Sequence, residues 1–274
     1  MIIDCHCHAG EGNGIIAPWE SNAPLRAFVR RSRQAGIGRT NLFSPFARDY
    51  AVANRKVARI VFARPDLFCG FAAVHAQYDA GRIAEIVRTA ISRYGFRGIK
   101  VHRRESGITR EVCDTAGDLG LPVIYDVGRS GSDVPAIASQ YPGVNFIIPH
   151  LGSFGDDTPA QLALIDHLVR YPNVHADTSG VKRFDLLLRA VRRAGPRKLL
   201  FGSDGPWLHP GAELAKVKAL IDELKLSVAD QRSILGGNFL RLIARAQTRS
   251  RRSIMGRRPA SPRTEDSLSS KLTG

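Results

Sequence analysis

A chain of 274 residues with 43% hydrophobic and 24% charged residues is large enough to bury a full core, and it has no run of about 18 apolar residues that would offer a membrane span. A formal charge of +15 makes it strongly basic and suits anionic partners. With aromatics at 7% and no recognition module, nucleic acid is disfavoured and a small anionic substrate is the expected partner.

The first element is a short apolar run that leads into Asp4-Cys5-His6-Cys7-His8. Side chains on a strand alternate with period two, so Asp4, His6 and His8 are predicted to share one face and Cys5 and Cys7 the other. Two imidazoles pointing the same way at a barrel mouth can hold a divalent metal open to substrate. On its own, such a pair is more often a polar edge or a satisfied core pair. Asp4 and the histidines interrupt the apolar run too early for a signal peptide, and a cytoplasmic location is the expectation. The four cysteines, Cys5, Cys7, Cys69 and Cys113, are expected to be reduced and buried.

Residues 11–22 are Gly-rich and read as a loop over an active-site mouth. Helical spacing over 24–35 stops at Gly36, and 38–43 reads as a second strand. A helix over 47–63 is ended by Arg64-Pro65, and 67–74 is a third strand. The stripe Ile83, Ile86, Val87, Ala90, Ile91 predicts a helix over 79–94, followed by strand four at 96–101. The alternation goes on: helix 109–119, strand 121–125, helix 134–141, strand 144–148, helix 159–170, strand 174–177, helix 184–194 and strand 198–201. Eight strands alternating with helices predict an α/β fold, a single-domain (β/α)8 TIM barrel over residues 1–246. An open doubly wound sheet is the alternative, though no G-x-G-x-x-G follows a strand. Residues 247–274 hold seven basic against two acidic residues without apolar periodicity, and are expected to be a disordered basic tail of net charge +5.

In a TIM barrel the chemistry sits at the C-terminal strand ends. The unusual polar residues gather there: His6 and His8 after strand one, Lys100, His102, Arg103 and Arg104 after strand four, Asp126 after five, His150 after six, Asp177 after seven and Asp204 after eight. Lys100, His102, Arg103 and Arg104 are the candidate clamp for a substrate carboxylate, although either arginine alone is as readily a solvated loop charge. His75 is placed to line the pocket, and Trp207 to wall it.

Asp4-x-His6-x-His8, Gly98-Ile99-Lys100-Val101-His102, Leu121-Pro122-Val123-Ile124, His150-Leu151-Gly152, Asp177-Thr178-Ser179-Gly180, Phe201-Gly202-Ser203-Asp204-Gly205-Pro206-Trp207 and Leu235-Gly236-Gly237-Asn238 form an ordered set across most of residues 1–245. Together they resemble the amidohydrolase-related branch of the amidohydrolase superfamily. The resemblance implies a metal-dependent enzyme in which His6 and His8 ligate one divalent ion, often zinc. It implies that Asp204 ligates or flanks the metal and accepts the proton of its water, while His150 polarises or protonates the substrate. The family usually carries a metal-binding His where this chain has Asp126. A carboxylate there can also bind zinc and shifts preference toward harder ions such as manganese. Related pyrone-dicarboxylate lactonases work without a metal, so loss of the ion is the other reading of Asp126.

The expected activity is metal-dependent hydrolysis of a small carboxylate-bearing ester, lactone or amide. Non-oxidative decarboxylation of an aromatic or enol acid is the alternative within the family, and a non-catalytic binding barrel the alternative outside it. The sequence leaves homo-oligomerisation open.

Overall fold

The computed structural model of the protein describes residues 1–12, 22–102, 104–127, 131–154 and 157–244. Strand β1 (Ile2–His8) pairs in parallel with β2 (Ile37–Phe43), from Ile2 opposite Ile37 to His8 opposite Phe43. The third strand is split at Phe71. Its first half, β3 (Phe68–Gly70), pairs with β2, and its second, β4 (Ala72–Ala73), pairs with β5 (Ile99–His102). The ladder continues in parallel through β6 (Val123–Asp126), β7 (Phe146–Ile148), β8 (Val174–Asp177) and β9 (Leu199–Leu200).

Backbone bonds then return the last strand to the first. Cys5 N–H donates to Phe201 O at 3.0 Å, Asp204 N–H to His6 O at 2.8 Å and His8 N–H to Gly205 O at 2.7 Å. Counting the split strand once, eight parallel strands close on themselves in chain order, the TIM barrel predicted from the alternation.

Helices α1 (Leu25–Gln34), α2 (Tyr50–Ala63), α3 (Ile83–Tyr94), α4 (Arg110–Leu119), α5 (Val134–Gln140), α6 (Thr158–Arg170), α7 (Phe184–Ala194) and α8 (Pro210–Glu223) connect the strands or follow the last. Two begin later than their apolar spacing suggests, for local reasons. The Asp49 carboxylate accepts the Val52 N–H at 3.0 Å and caps α2 at Tyr50, while Asp79 turns back to accept the His75 N–H at 2.9 Å, leaving α3 to start at Ile83. Helix α8, the short α9 (Val228–Arg232) and helical residues 238–244 extend beyond the elements read from sequence.

Strand alternation sorts the core into two layers. Ile124, Ile147 and Leu200 pack with Ile3, Cys5, Phe43 and Phe71 inside the barrel, where Phe239 and Leu242 from the last helix join them. Their strand neighbours Val123, Tyr125, Phe146, Ile148, Leu199 and Phe201 belong to the larger layer shared with the helices. Residues one step further along the same inward rows are polar: Lys100 and His102, Asp126, and Asp177. The barrel is thus apolar at one end and charged at the other, and the charged end is the one toward which the strands run.

All four cysteines are free and buried, as expected, and burial pushes the Cys69 and Cys113 thiols up to about 12. No helix among the described residues is long and apolar enough to cross a membrane. The tail predicted over 247–274 lies outside the described residues.

Candidate metal centre and active site

The strict alternation expected of β1 does not hold. Asp4 opposes Thr40 and Cys7 opposes Leu42, so three steps on β1 match two on β2, and the strand bulges between them. The bulge sends Cys5 inward to the apolar cluster with Ile3 and Phe43 and keeps Cys7 in the outer layer. Asp4 leaves the histidines: its Oδ2 accepts the Ser203 hydroxyl at 2.5 Å, and its Oδ1 accepts the N–H of Ser203 at 2.9 Å and of His6 at 3.1 Å. Asp4 therefore ties β1 to the segment after β9 that carries Asp204.

His6, His8 and Asp204 converge. Asp204 Oδ1 lies 3.3 Å from His6 Nε2 and 3.4 Å from His8 Nε2, and one donor atom of each residue falls within 4.8 Å of the others. Charge-assisted hydrogen bonds are shorter than this, about 2.7–2.9 Å. Donors about 2.0–2.1 Å from a shared tetrahedral ion are instead about 3.3–3.4 Å apart, so the residues fit a divalent metal. The side chains of His6 and His8 are 1% and 8% exposed and that of Asp204 is 12%, so the cluster is nearly buried and Asp204 is its most exposed member.

The protonation states suit ligation. His6 Nδ1 lies 2.7 Å from Asp177 Oδ2, which fixes the proton on Nδ1 and leaves the Nε2 lone pair facing the cluster. Burial lowers His8 to about 4, against the pull of Asp204, so its imidazole is neutral. Burial opposes ionisation of Asp204, yet His6, His8 and His150 together hold its carboxyl well below the usual range.

Strained backbone aims two of the groups. Asp204 sits at φ 56°, and His150 and Leu151 at 58° and 51°, all in the left-handed region that residues with a Cβ seldom adopt. The turn holding His150 is anchored by Asp177, whose Oδ1 accepts the His150 N–H at 3.1 Å, the Ser179 N–H at 3.0 Å and the Ser179 hydroxyl at 2.6 Å. The His150 ring is set by Nδ1, 2.9 Å from Ser179 O, which turns Nε2 to the interior. Burial alone would lower His150, but Asp204, Asp126 and Asp177 prevail and raise it.

Asp126 stands apart from the metal cluster. It is the register partner of His102 across the β5–β6 ladder, and its Oδ2 lies 3.0 Å from His102 Nε2 and 4.0 Å from His150 Nε2. Neighbouring inward positions on adjacent strands meet first, so His102 engages the carboxylate, and Asp126 is not among the three residues whose donor atoms converge within 4.8 Å among the described residues. Lys100 is 3% exposed, its Nζ lies 4.9 Å from the centroid of the Phe43 ring, and it has no hydrogen-bond partner among the described residues. Burial lowers its pKa while Asp126, Asp204 and Asp177 pull the other way. A small void of about 10 Å³, room for about one water molecule, lies beside the cluster and is lined by His8, Ser44, Phe46, Tyr50, Lys100 and His102 among others. Trp207 packs on His8 at 4.6 Å between ring centroids, and its buried indole N–H also lacks a partner among the described residues. His75 is occupied in its own loop, where Nδ1 accepts the N–H of Tyr78 at 3.1 Å and the ring stacks on Tyr78. Arg103 lies outside the described residues.

Residues 3–244 match the amidohydrolase family. The chain belongs to that family. Solved structures share the fold of this amidohydrolase. A 2,6-dihydroxybenzoate decarboxylase from Rhizobium superposes with a TM-score of 0.67 at 16% identity, covering 89% of this chain and 98% of its own. An amidohydrolase from Burkholderia multivorans with bound zinc gives 0.70 at 19% identity, covering 89% and 99%. The 5-carboxyvanillate decarboxylase of Sphingomonas paucimobilis gives 0.64 at 13% identity, covering 89% and 98%. No curated protein matches the chain.

The amidohydrolase site also depends on residues to which sequence reasoning assigned no role. Asp177 was visible at a strand end, but its hold on His6 spans 171 positions. Gly202 is needed for close approach, since a Cβ there would stand 3.0 Å from His6 Cβ and 3.2 Å from Asp177 Cγ. Gly202→Ala should therefore cost about 1–3 kcal/mol of stability and weaken metal retention, read by chemical denaturation and metal analysis of the same preparation.

Proposed function

We propose that this amidohydrolase is a metal-dependent hydrolase that cleaves an ester, lactone or amide bond in a small carboxylate-bearing compound. The observation that carries the reading is the convergence of His6 Nε2, His8 Nε2 and Asp204 Oδ1 at the open end of the barrel. These three residues would hold one divalent ion, zinc by donor type, with manganese the harder alternative. When bound, such an ion polarises a carbonyl and lowers the pKa of water toward neutrality. Asp204, ionised and partly exposed, takes the proton of the attacking water. His150, with Nδ1 tied to Ser179 and its pKa raised, delivers a proton to the departing oxygen or nitrogen through Nε2. Lys100, buried and without an intramolecular hydrogen bond, pairs with the substrate carboxylate, and Arg103 is the proposed second contact. His102, steadied by Asp126, lines the same void, and Trp207 closes the side next to His8.

Decarboxylation is the second reading, favoured by the flat aromatic lining at Phe46 and Tyr50 beside Lys100. The names of two fold neighbours, decarboxylases of substituted aromatic acids, agree with it. There His150 would protonate the ring carbon as carbon dioxide leaves.

Metal analysis of the freshly purified protein, followed by chelation and reloading with zinc or manganese, is the test. About one ion per chain is expected, with acid release from a panel of carboxylate-bearing lactones, esters and amides that stops on chelation. Carbon dioxide released from hydroxybenzoates, without hydrolysis of the panel, would move the assignment to the decarboxylase. Silence with every metal and substrate would leave a binding barrel.

A further inference from the structure

The mechanism above leaves unused a titratable residue on the wall of the void and the carboxyl group that it bonds behind that wall. Tyr50, the first residue of α2, is 3% exposed and lines the void with His8, Lys100 and His102. Its hydroxyl donates a very short hydrogen bond to Glu105 Oε2. Glu105 is held on the turn after β5, where its N–H donates to His102 O at 3.0 Å. The phenol thus stands between the void and a carboxyl group.

We propose that Tyr50 contacts the substrate and that Glu105 is a positioning residue, setting whether the phenol offers that substrate a proton or a lone pair. The inference rests on the small-carboxylate reading and adds a second polar recognition point to it. An ionised Glu105 accepts the Tyr50 proton, so the phenol oxygen faces the void with lone pairs only. A protonated Glu105 can donate to the phenol oxygen, which frees the Tyr50 O–H for an acceptor on the ligand.

Glu105 is poised for this change. Burial raises its carboxyl to about 7, opposed by the Tyr50 hydrogen bond and the Lys100 charge and aided by Asp79. Tyr50, from α2, Asp79, from the loop before α3, and Lys100, from β5, are the titratable groups acting on it among the described residues. Tyr50 itself is pushed well above its ordinary range, first by burial and then by Glu105, so it stays protonated throughout.

The test compares, by calorimetry on zinc-loaded full-length protein, methoxybenzoates, whose ether only accepts, with the matching hydroxybenzoates, which donate or accept. The ratio of their affinities cancels effects common to both carboxylates, including titration of Lys100 and His102. From pH 6 to pH 8 the wild-type ratio should shift by about 3–10-fold toward the hydroxy ligands. Tyr50→Phe should remove the discrimination, and Glu105→Gln should keep discrimination but remove its pH dependence. If Tyr50→Phe does not fold, Glu105→Gln decides alone. An unchanged pH trend in Glu105→Gln, equal ratios in wild type and Tyr50→Phe, or no binding of either ligand overturns the proposal. Hydrolysis of the lactone, ester and amide panel is read separately. Failure there with the ligand pattern intact overturns the hydrolase and not the role of Tyr50.

Discussion

Asp204→Asn should lower kcat by about 10³-fold or more while leaving the fold in place. Asn tolerates the left-handed φ of 56° almost as well as Asp, and the backbone N–H that donates to His6 O at 2.8 Å is untouched. What disappears is the charge that sits 3.3 and 3.4 Å from two imidazole nitrogens. The variant loses both an anionic metal donor and the proton acceptor, so metal content and kcat should fall together while the metal-free variant keeps the wild-type far-UV circular dichroism and a cooperative unfolding transition. Turnover retained at the wild-type rate with metal bound would remove Asp204 from the chemistry.

The parts of this site legible in the sequence are those that follow from period and position. Strand–helix alternation placed eight strands, and their C-terminal ends gave His6, His8, Lys100, His102, Asp126, His150 and Asp204, all of which face the charged end of the barrel. What period could not supply is any departure from it. The bulge in β1 separates Asp4 from His6 and gives it to Ser203, and nothing in Asp-x-His-x-His announces a bulge. Nor does period tell that the carboxylate of Asp126, at the place where the family usually has a metal-binding His, meets His102 as its register partner. Tyr50 and Glu105 were hidden for another reason. One begins a helix and the other sits on a turn, so neither occupies a strand end, and they meet across 55 positions.

Asp177 shows how much of the centre hangs on one fully buried carboxylate. It accepts from His6 Nδ1 at 2.7 Å on one oxygen, and from Ser179 and the His150 backbone on the other. Every partner is a donor, so Asp177→Asn puts an amide N–H against one of them. If the amide faces His6, the histidine must accept on Nδ1 and carry its proton on Nε2, the nitrogen that points at the metal position. If it faces Ser179, the turn that aims His150 loses its anchor.

Zinc affinity of Asp177→Asn should fall by about 10–100-fold, measured by competition with a chromophoric chelator. Stability of the metal-free protein should also change in its pH dependence. Burial alone would raise Asp177, but His6, His150 and Ser179 hold it at about 2, below its ordinary 3.8. A depressed carboxyl contributes stability that is complete above the unfolded value and lost as pH falls from about 4 through about 2, on the order of 2 kcal/mol. Wild type should therefore lose stability across that window more steeply than Asp177→Asn, in urea titrations at pH 5 and pH 3. Equal slopes with weakened zinc binding would mean that the carboxylate orients His6 without stabilising the barrel. Equal zinc affinity would mean that His6 needs no such partner to ligate.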